Sequence, residues 1–396
     1  MNKMMKWKIP LFKIYWDKED IKSVTEVIKK GMMWTDGEKI REFEKMIAEY
    51  MGRRYCVCFN SGTSALHAVL QAYGVGEGDE VIVPSFTFIS TCNAPLFVGA
   101  KPVFADIEEK TLGLSPEDVR QKISKNTKAV IPVHYGGMPC RIKEIKKIAE
   151  EFGLVLIEDA AEAFGAEIGG KKVGTFGDAA ILSFCQNKII TTGEGGAVLT
   201  DSKRICEKLK LLRSHGRKEK RGYFFSPESG DYITLGYNFR MSEIAASLGI
   251  SQFKKVKEII NKRRKIAQRF LEKLREIKEI ETINPPEDFF CVYQMFPVIV
   301  DNRDKRDKLI SYLAEKGIVT KVYFEPVHLT RFYKEELKYR CNLPVTEKIS
   351  ERILTLPLYP SMTEEEIDEV VNEIKNFFAE EKREDEKFRS WKFLQK

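Results

Sequence analysis

The 396-residue sequence lacks the patterns that mark a metal site or a membrane span. Its eight cysteines include no CxxC pair and have no histidine cluster beside them, and several lie in apolar runs such as YCVCF. We interpret them as small buried hydrophobic residues and expect no metal. No run approaches the roughly 18 apolar residues of a transmembrane helix, and the N-terminus lacks the apolar stretch of a signal peptide. We therefore expect a soluble cytoplasmic protein without a membrane partner.

A strong charge imbalance is also missing. The sequence has 66 Lys and Arg against 59 Asp and Glu, a formal net charge of +7, and its most basic stretch mixes cations with apolar residues at helical spacing. This pattern indicates a solvated amphipathic helix, so we expect no nucleic-acid partner. With 43% hydrophobic and 32% charged residues, the composition excludes global disorder. The length predicts roughly two to three domains.

Short apolar runs rich in β-branched residues alternate with amphipathic segments from about residue 55 to 200. Strands that are apolar on both faces and alternate with helices are typical of parallel βαβ units. Long helices follow, one of them over 251–277, and CVYQMFPVIV and GIVTKVYF then predict strands of a smaller mixed unit. We expect an α/β fold with a large domain over 1–250, followed by a long helix and a small C-terminal α/β domain over 251–396.

The first chemical signal is NSGTS, between the strand YCVCF and the helix ALHAVLQAY. Gly62 allows a close backbone approach, the hydroxyls of Thr63 and Ser64 can donate, and a helix N-terminus offers oriented amides, so this turn is suited to a phosphate. Taken alone, the pattern is more often a simple helix cap.

Two further signals lie at predicted strand ends. Asp159 ends the strand LVLIED, where ligands bind in open α/β sheets, although a helix cap explains it equally well. Lys188 follows the strand AAILSF and precedes a glycine-rich turn, yet by itself it reads as a surface lysine. A lysine, a carboxylate and an anion cradle are together what pyridoxal phosphate chemistry requires.

A family resemblance joins these signals. The motifs NSGTSALHA, PSFTFISTCNA, IPVHYGG, LIEDAAEAFGA, SFCQNKIITTGEGGAVLT and GYNFRMSEIAA occur in an order that resembles the DegT/DnrJ/StrS-type nucleotide-sugar aminotransferases. The resemblance spans about residues 10 to 380. It implies a fold type I transferase dependent on pyridoxal 5'-phosphate, with a mostly parallel seven-stranded sheet in the large domain.

The resemblance also implies roles for individual residues. Lys188 matches the lysine that carries the cofactor, Asp159 the carboxylate paired with its ring nitrogen, and Phe88 the aromatic residue that stacks on its ring. Glu162 matches a residue at the ring edge, where many relatives have Gln or His. Asn238 matches an asparagine that reaches the phosphate from a partner subunit, which implies a homodimer. The residues that match the phosphate site are Gly62, Thr63, Ser64 and Ser183.

The implied reaction moves an amino group from glutamate to the keto group of a nucleotide-linked sugar. Four residues lie in segments similar to the substrate loops of the family, each with a structural role as an equal alternative: His215, Arg240, Tyr323 and His328. One alternative function is a sugar dehydrase, whose members replace the lysine with histidine, whereas this chain has Lys188. Another is a regulator that binds the ligand without catalysis.

Overall fold

The structure, a computed structural model, describes residues 7–218 and 230–394. The strands within these residues are β1 (Tyr55–Phe59), β2 (Glu80–Pro84), β3 (Lys101–Ala105), β4 (Thr127–Val130), β5 (Val155–Asp159), β6 (Glu167–Ile168), β7 (Lys171–Lys172), β8 (Ala179–Ser183), β9 (Gly196–Thr200), β10 (Arg217–Lys218), β11 (Asp231–Tyr232), β12 (Glu281–Thr282), β13 (Phe289–Phe290), β14 (Phe296–Ile299) and β15 (Ile353–Leu356). The helices are α1 (Lys18–Lys30), α2 (Glu38–Met51), α3 (Gly62–Ala72), α4 (Ile89–Phe97), α5 (Pro116–Lys122), α6 (Ile142–Phe152), α7 (Lys203–Arg213), α8 (Glu243–Lys254), α9 (Val256–Leu274), α10 (Arg303–Glu315), α11 (Pro344–Arg352) and α12 (Glu364–Leu394).

The central sheet has seven strands in the order β1, β9, β8, β5, β4, β2 and β3. The pairs from β8 through β3 are parallel, whereas β9 is antiparallel to both β1 and β8. The predicted fold class, with a mostly parallel seven-stranded sheet, is therefore confirmed. Connections through helices return the chain to the same end of the sheet, so the carboxyl ends of β2, β5 and β8 share one edge.

Both faces of the sheet are covered, which explains why most positions along its strands are apolar and buried. In β1, Cys56 and Cys58 belong to one buried cluster, whereas Val57 and Phe59 belong to another on the opposite face. The alternation follows from the two-residue period of side chains along a strand.

The helix predicted over 251–277 is wrong in its continuity. The chain leaves helical geometry at Lys255, so that α8 ends at Lys254 and α9 begins at Val256. The physical reason is a change of neighbours, because α8 packs on α1 and α2 whereas α9 packs on α12. Lys255 stabilises the break through ion pairs with Asp17 and Asp20, at 3.0 and 2.6 Å.

The C-terminal unit has an antiparallel sheet in the order β12, β14 and β15, packed with α9 and α12 around its own apolar cluster. The strand predicted at GIVTKVYF is wrong: this segment makes only isolated bridges, from Ile318 to Ile9 and from Lys321 to Thr355. It alternates between two neighbours, so no continuous ladder forms. The domain division at residue 250 stays a prediction. Among the described residues, no helix combines the length and apolar character that crossing a membrane requires.

Candidate active site

The turn before α3 forms a cradle of amides and hydroxyls at the carboxyl edge of the sheet. Ser61 caps the helix, and its Oγ accepts a hydrogen bond from the Ser64 amide at 3.0 Å. A Cβ on Gly62 would lie 3.3 Å from the Ser183 Cβ, so the absence of a side chain brings the helix N-terminus against the end of β8. The Thr63 hydroxyl lies 2.8 Å from that of Ser90. Oriented amides next to several hydroxyls suit a phosphate group.

Asp159 ends β5 and is only 4% exposed. Its Oδ2 accepts a hydrogen bond from the Thr91 hydroxyl at 2.8 Å, and its Oδ1 accepts one from the Ala161 amide at 3.1 Å. Burial raises the pKa of Asp159 above its usual value, and these hydrogen bonds offset part of that shift. A buried carboxylate in this environment is a strong partner for a cationic ring nitrogen.

Lys188 forms an ion pair with Glu162. The Lys188 Nζ lies 3.3 Å from the Glu162 Oε1, and the Glu162 Oε2 accepts a hydrogen bond from the Gly136 amide at 2.9 Å. The side chains of the pair are 14% and 8% exposed. Glu162 therefore contacts the Lys188 amine directly, whereas the family resemblance implied only a place at the edge of the cofactor ring.

Phe88 presents its ring to solvent in the single chain. It caps α4, is 58% exposed and has Phe324 as an aromatic neighbour, with ring centroids 6.2 Å apart. An exposed ring at the same sheet edge as Asp159 is available to stack on a planar ligand.

Three of the other predicted residues lie on two segments joined by a bridge between Ser214 and Asn238: His215 on one, and Asn238 with Arg240 on the other. Asn238 is exposed. Its backbone carbonyl accepts a hydrogen bond from the Asn60 side chain at 3.4 Å, next to the cradle. Arg240 donates to the Ser214 hydroxyl at 3.3 Å, and His215 is exposed with a φ of 60°. The structure thus brings Asn238, His215 and Arg240 together beside the cradle.

Tyr323 and His328 have different surroundings. The Tyr323 carbonyl accepts a hydrogen bond from the Tyr135 hydroxyl, and burial together with the Glu162 charge raises the pKa of the Tyr323 phenol. His328 is 3% exposed, with Nδ1 2.7 Å from the Ser85 hydroxyl and Nε2 3.3 Å from a Glu347 carboxylate oxygen. Both of its ring nitrogens have protein partners, which favours the structural alternative for His328.

Sequence reasoning missed Thr91, Ser90 and Gly196. Thr91 and Ser90 lie in the first turn of α4, and their partners Asp159 and Thr63 are distant in the chain, so no local pattern marks them. Gly196 had a signal, the glycine-rich turn after Lys188. A Cβ there would lie 2.5 Å from the Gly62 amide nitrogen.

Comparison with known proteins decides the family. The model of the DegT/DnrJ/EryC1/StrS aminotransferase family matches residues 15–375. The chain belongs to this family. It is therefore an aminotransferase, and the predicted family, fold class, enzyme class and cofactor are confirmed.

Individual relatives match over nearly their full length. The chain is 36% identical to a GDP-perosamine synthase from Vibrio cholerae, with 93% of this chain and 99% of that protein covered. It resembles the structure of Helicobacter pylori PseC, an aminotransferase involved in the biosynthesis of pseudoaminic acid, with a TM-score of 0.88, 28% identity and coverage of 94% and 99%. The PLP form of a putative sugar aminotransferase from Streptococcus pneumoniae gives a TM-score of 0.87 at 27% identity, with coverage of 93% and 98%.

Proposed function

We propose that this aminotransferase moves an amino group from glutamate to the keto group of a nucleotide-linked sugar, with pyridoxal phosphate as cofactor. The observation that carries the proposal is the meeting of three groups at one sheet edge: the Lys188 amine, the Asp159 carboxylate and the cradle at Gly62. We also propose a cytoplasmic homodimer. The free thiol form of the eight cysteines is typical of a reducing compartment.

The residues present fit the cofactor. The amides that begin α3 would bind its phosphate with the hydroxyls of Thr63, Ser64 and Ser183, and the glycine at 62 leaves this approach open. Asp159 would hold a proton at the ring nitrogen, and Phe88 would stack on the ring. When bound, pyridoxal phosphate supplies an electron sink for the carbon from which a proton is removed.

Lys188 has two tasks in this proposal. It would hold the resting cofactor covalently, and once released, its Nζ would move the proton from the α-carbon of the amino donor to the cofactor carbon that receives the amino group. Glu162, at 3.3 Å, accepts a hydrogen bond from the released amine and keeps it beside the reaction. In the second half of the reaction, the same amine would move a proton from that cofactor carbon to the sugar carbon that carried the keto group.

The substrate residues lie around this centre. Arg240 supplies positive charge suited to a diphosphate. Asn238 lies on the same segment, and His215 lies on the segment bridged to it. Tyr323 presents a phenol near the Glu162 charge. We propose that these two segments and Tyr323 contact the nucleotide-linked sugar, with His328 as a weaker candidate.

Covalent capture tests the role of Lys188. Borohydride treatment of the loaded enzyme should fix one cofactor on each chain, on the peptide that contains Lys188, as measured by mass spectrometry. Lys188→Ala should abolish the fixation. Lys172→Ala should leave it intact, because Lys172 is instead paired with Glu167 at 3.0 Å. Fixation that survives in Lys188→Ala would contradict the assignment.

Half-reactions test the donor and the acceptor. Glutamate should convert the bound cofactor to its amine form, seen as a change in absorbance, and a keto nucleotide sugar should reverse the change. A regulator would bind these compounds without conversion. A panel of amino acids and keto nucleotide sugars then identifies both substrates, and a failure of glutamate would overturn the donor assignment alone.

A further inference from the structure

Two threonines outside the predicted site form a hydroxyl chain that ends on Asp159. The Thr87 Oγ1 lies 3.1 Å from the Thr91 Oγ1, which in turn lies 2.8 Å from the Asp159 Oδ2. Thr87 and Thr91 are 3% and 2% exposed. Thr87 precedes the exposed Phe88, and Thr91 lies in the first turn of α4, so the chain joins the loop of the proposed stacking ring to the proposed partner of the ring nitrogen.

The direction of the hydrogen bonds follows from chemistry. An ionised carboxylate only accepts, so the single hydroxyl proton of Thr91 points at Asp159. The Thr91 oxygen then accepts a hydrogen bond from the Thr87 hydroxyl. Hydrogen bonds aligned in this way polarise one another and stabilise the negative charge at their end.

We propose that Thr91 is a positioning residue that, with Thr87 behind it, orients Asp159 and keeps the shared proton on the ring nitrogen of the cofactor and off the carboxyl. The inference rests on the proposed role of Asp159. It adds a function for α4, which delivers the hydroxyl, and for the loop at Thr87.

The hydroxyl chain counteracts the free-energy cost of ionising the buried Asp159 carboxyl. Burial raises the pKa of Asp159, which favours the protonated carboxyl, and the nearby Glu162 charge acts in the same direction, whereas Lys188 opposes it. Burial, together with the Asp159 charge, raises the pKa of the Cys92 thiol, which also lies on α4. The hydroxyl chain stabilises the ionised form without adding a charge.

The test measures the protonation of the ring nitrogen directly. Enzyme loaded with pyridoxal phosphate labelled with ¹⁵N in the ring gives a nitrogen signal that distinguishes the protonated from the neutral ring. In Thr91→Val the ratio of the protonated to the neutral ring should fall about tenfold or more, because a hydrogen bond to a charged group is lost. The value of kcat should fall with KM little changed. Thr91→Ser should restore both readouts, and Thr87→Val should cause a smaller shift in the same direction.

A matched control separates the relay from a loss of packing. Thr346 is fully buried, and its hydroxyl donates to the Asp106 Oδ1 at 2.7 Å, so Thr346→Val removes an equivalent bond elsewhere. It should lower the melting temperature without moving the nitrogen signal. An unmoved signal in Thr91→Val overturns the proposal, and if that variant fails to fold, an unmoved signal in Thr87→Val does so. Asp159→Asn identifies the source of a failure: an unmoved signal there overturns the proposed role of Asp159 as well.

Discussion

At the scale of single residues, the contact between Lys188 and Glu162 distinguishes this site. A carboxylate 3.3 Å from the amine adds a negative charge that acts on both Asp159 and Tyr323. The Gly136 amide holds the second carboxylate oxygen, so the charge is fixed in place. A glutamine at this position would keep the shape and remove the charge.

Glu162→Gln should lower the pKa of Tyr323. Burial raises this pKa first and the Glu162 charge second, so removing the charge removes part of the increase while burial keeps the rest. NMR titration of ¹³C-labelled tyrosine, with Tyr323→Phe to assign the signal, measures the change. Glu194→Gln is the control, because it removes the charge of an exposed glutamate whose side chain contacts Cys185. An unchanged Tyr323 titration in Glu162→Gln would contradict the electrostatic coupling.

Gly196→Ala should weaken cofactor binding. The added methyl would lie 2.5 Å from the Gly62 nitrogen and from the Ser61 carbonyl, so the start of α3 must move away from the beginning of β9. Overpacking of this kind costs about 1–3 kcal/mol, and we expect the Kd for pyridoxal phosphate to rise about tenfold. Titration of the cofactor into the cofactor-free protein measures it.

The control for this experiment is Gly76→Ala. A Cβ at Gly76 would meet only the Val98 carbonyl oxygen, at an ordinary contact distance of 3.7 Å. The affinity of the Gly76→Ala variant for the cofactor should equal that of the unaltered protein. Equal affinity in Gly196→Ala as well would show that the cradle does not depend on the position of α3.

At the scale of elements, Glu158 holds the end of β5 in place. Its carboxylate accepts hydrogen bonds from the Gly174, Phe176 and Gly177 amides, at 2.6, 2.7 and 2.7 Å, and lies 3.0 Å from the His134 Nε2. One side chain therefore fixes the turn before β8 and the segment after β4. Glu158 and Asp159 point to opposite faces of the sheet, so the first anchors the strand whose end presents the second.

Glu158→Gln should destabilise the fold by about 1–3 kcal/mol at neutral pH. The reason is that the side-chain NH₂ group of the glutamine would face an N–H donor at a position where a carboxylate oxygen of Glu158 accepts a hydrogen bond. Burial alone would raise the pKa of Glu158, but the hydrogen bonds from His134 and the backbone hold it below its usual 4.5. A lowered pKa stabilises the native state at neutral pH, and this contribution is lost as the pH falls below about 4.5. The difference between the proteins should therefore narrow in acid.

Urea unfolding of the cofactor-free proteins at several pH values measures this difference. Glu151→Gln is the control, because Glu151 makes an exposed ion pair with Arg120 and has side-chain exposure of 53%. Exposed pairs contribute little, so its stability should stay close to that of the unaltered protein. A constant difference between Glu158→Gln and the unaltered protein across pH would contradict the ionised state of Glu158.

The elements also show what the sequence could predict. Strands β1 through β5 and the turn at Gly62 follow from local patterns, because apolar runs and glycine act within a few residues. The break at Lys255 and the loss of a strand at GIVTKVYF depend on which distant segment lies alongside, which no local pattern contains. The same limit applies to the site. Lys188 and Asp159 follow from motifs, whereas the bond from Thr91 to Asp159 joins a helix to a strand 68 residues away.

At the scale of the whole molecule, the C-terminal unit completes the site. The Gln294 amide donates to the Asn187 carbonyl, next to Lys188, and the Tyr323 carbonyl accepts from Tyr135. These contacts fix the lysine loop and the segment around Tyr135 against a unit that comes much later in the chain. Conformational changes that separate the two parts would therefore act on Lys188 directly.

The homodimer proposal gives a prediction about which chain supplies Asn238. The Asn238 side chain is exposed, although its backbone lies beside Asn60 of its own chain. If the side chain acts in the site of the partner, a dimer of Lys188→Ala with Asn238→Ala contains one site with both changes and one with neither. Mixing and refolding the two inactive variants should then restore about a quarter of the activity, because half of the random dimers are mixed and each has one intact site.

The alternative gives the opposite result in the same assay. If Asn238 acts within its own chain, each site of a mixed dimer carries one change, and activity stays at the level of the single variants. Mixing Lys188→Ala with Asp159→Asn provides the matched control, since both residues belong to one chain in either arrangement and no activity should return. Recovery only in the Asn238 mixture requires that two chains build each site, and it connects the exposed Asn238 side chain to the assembly of the molecule.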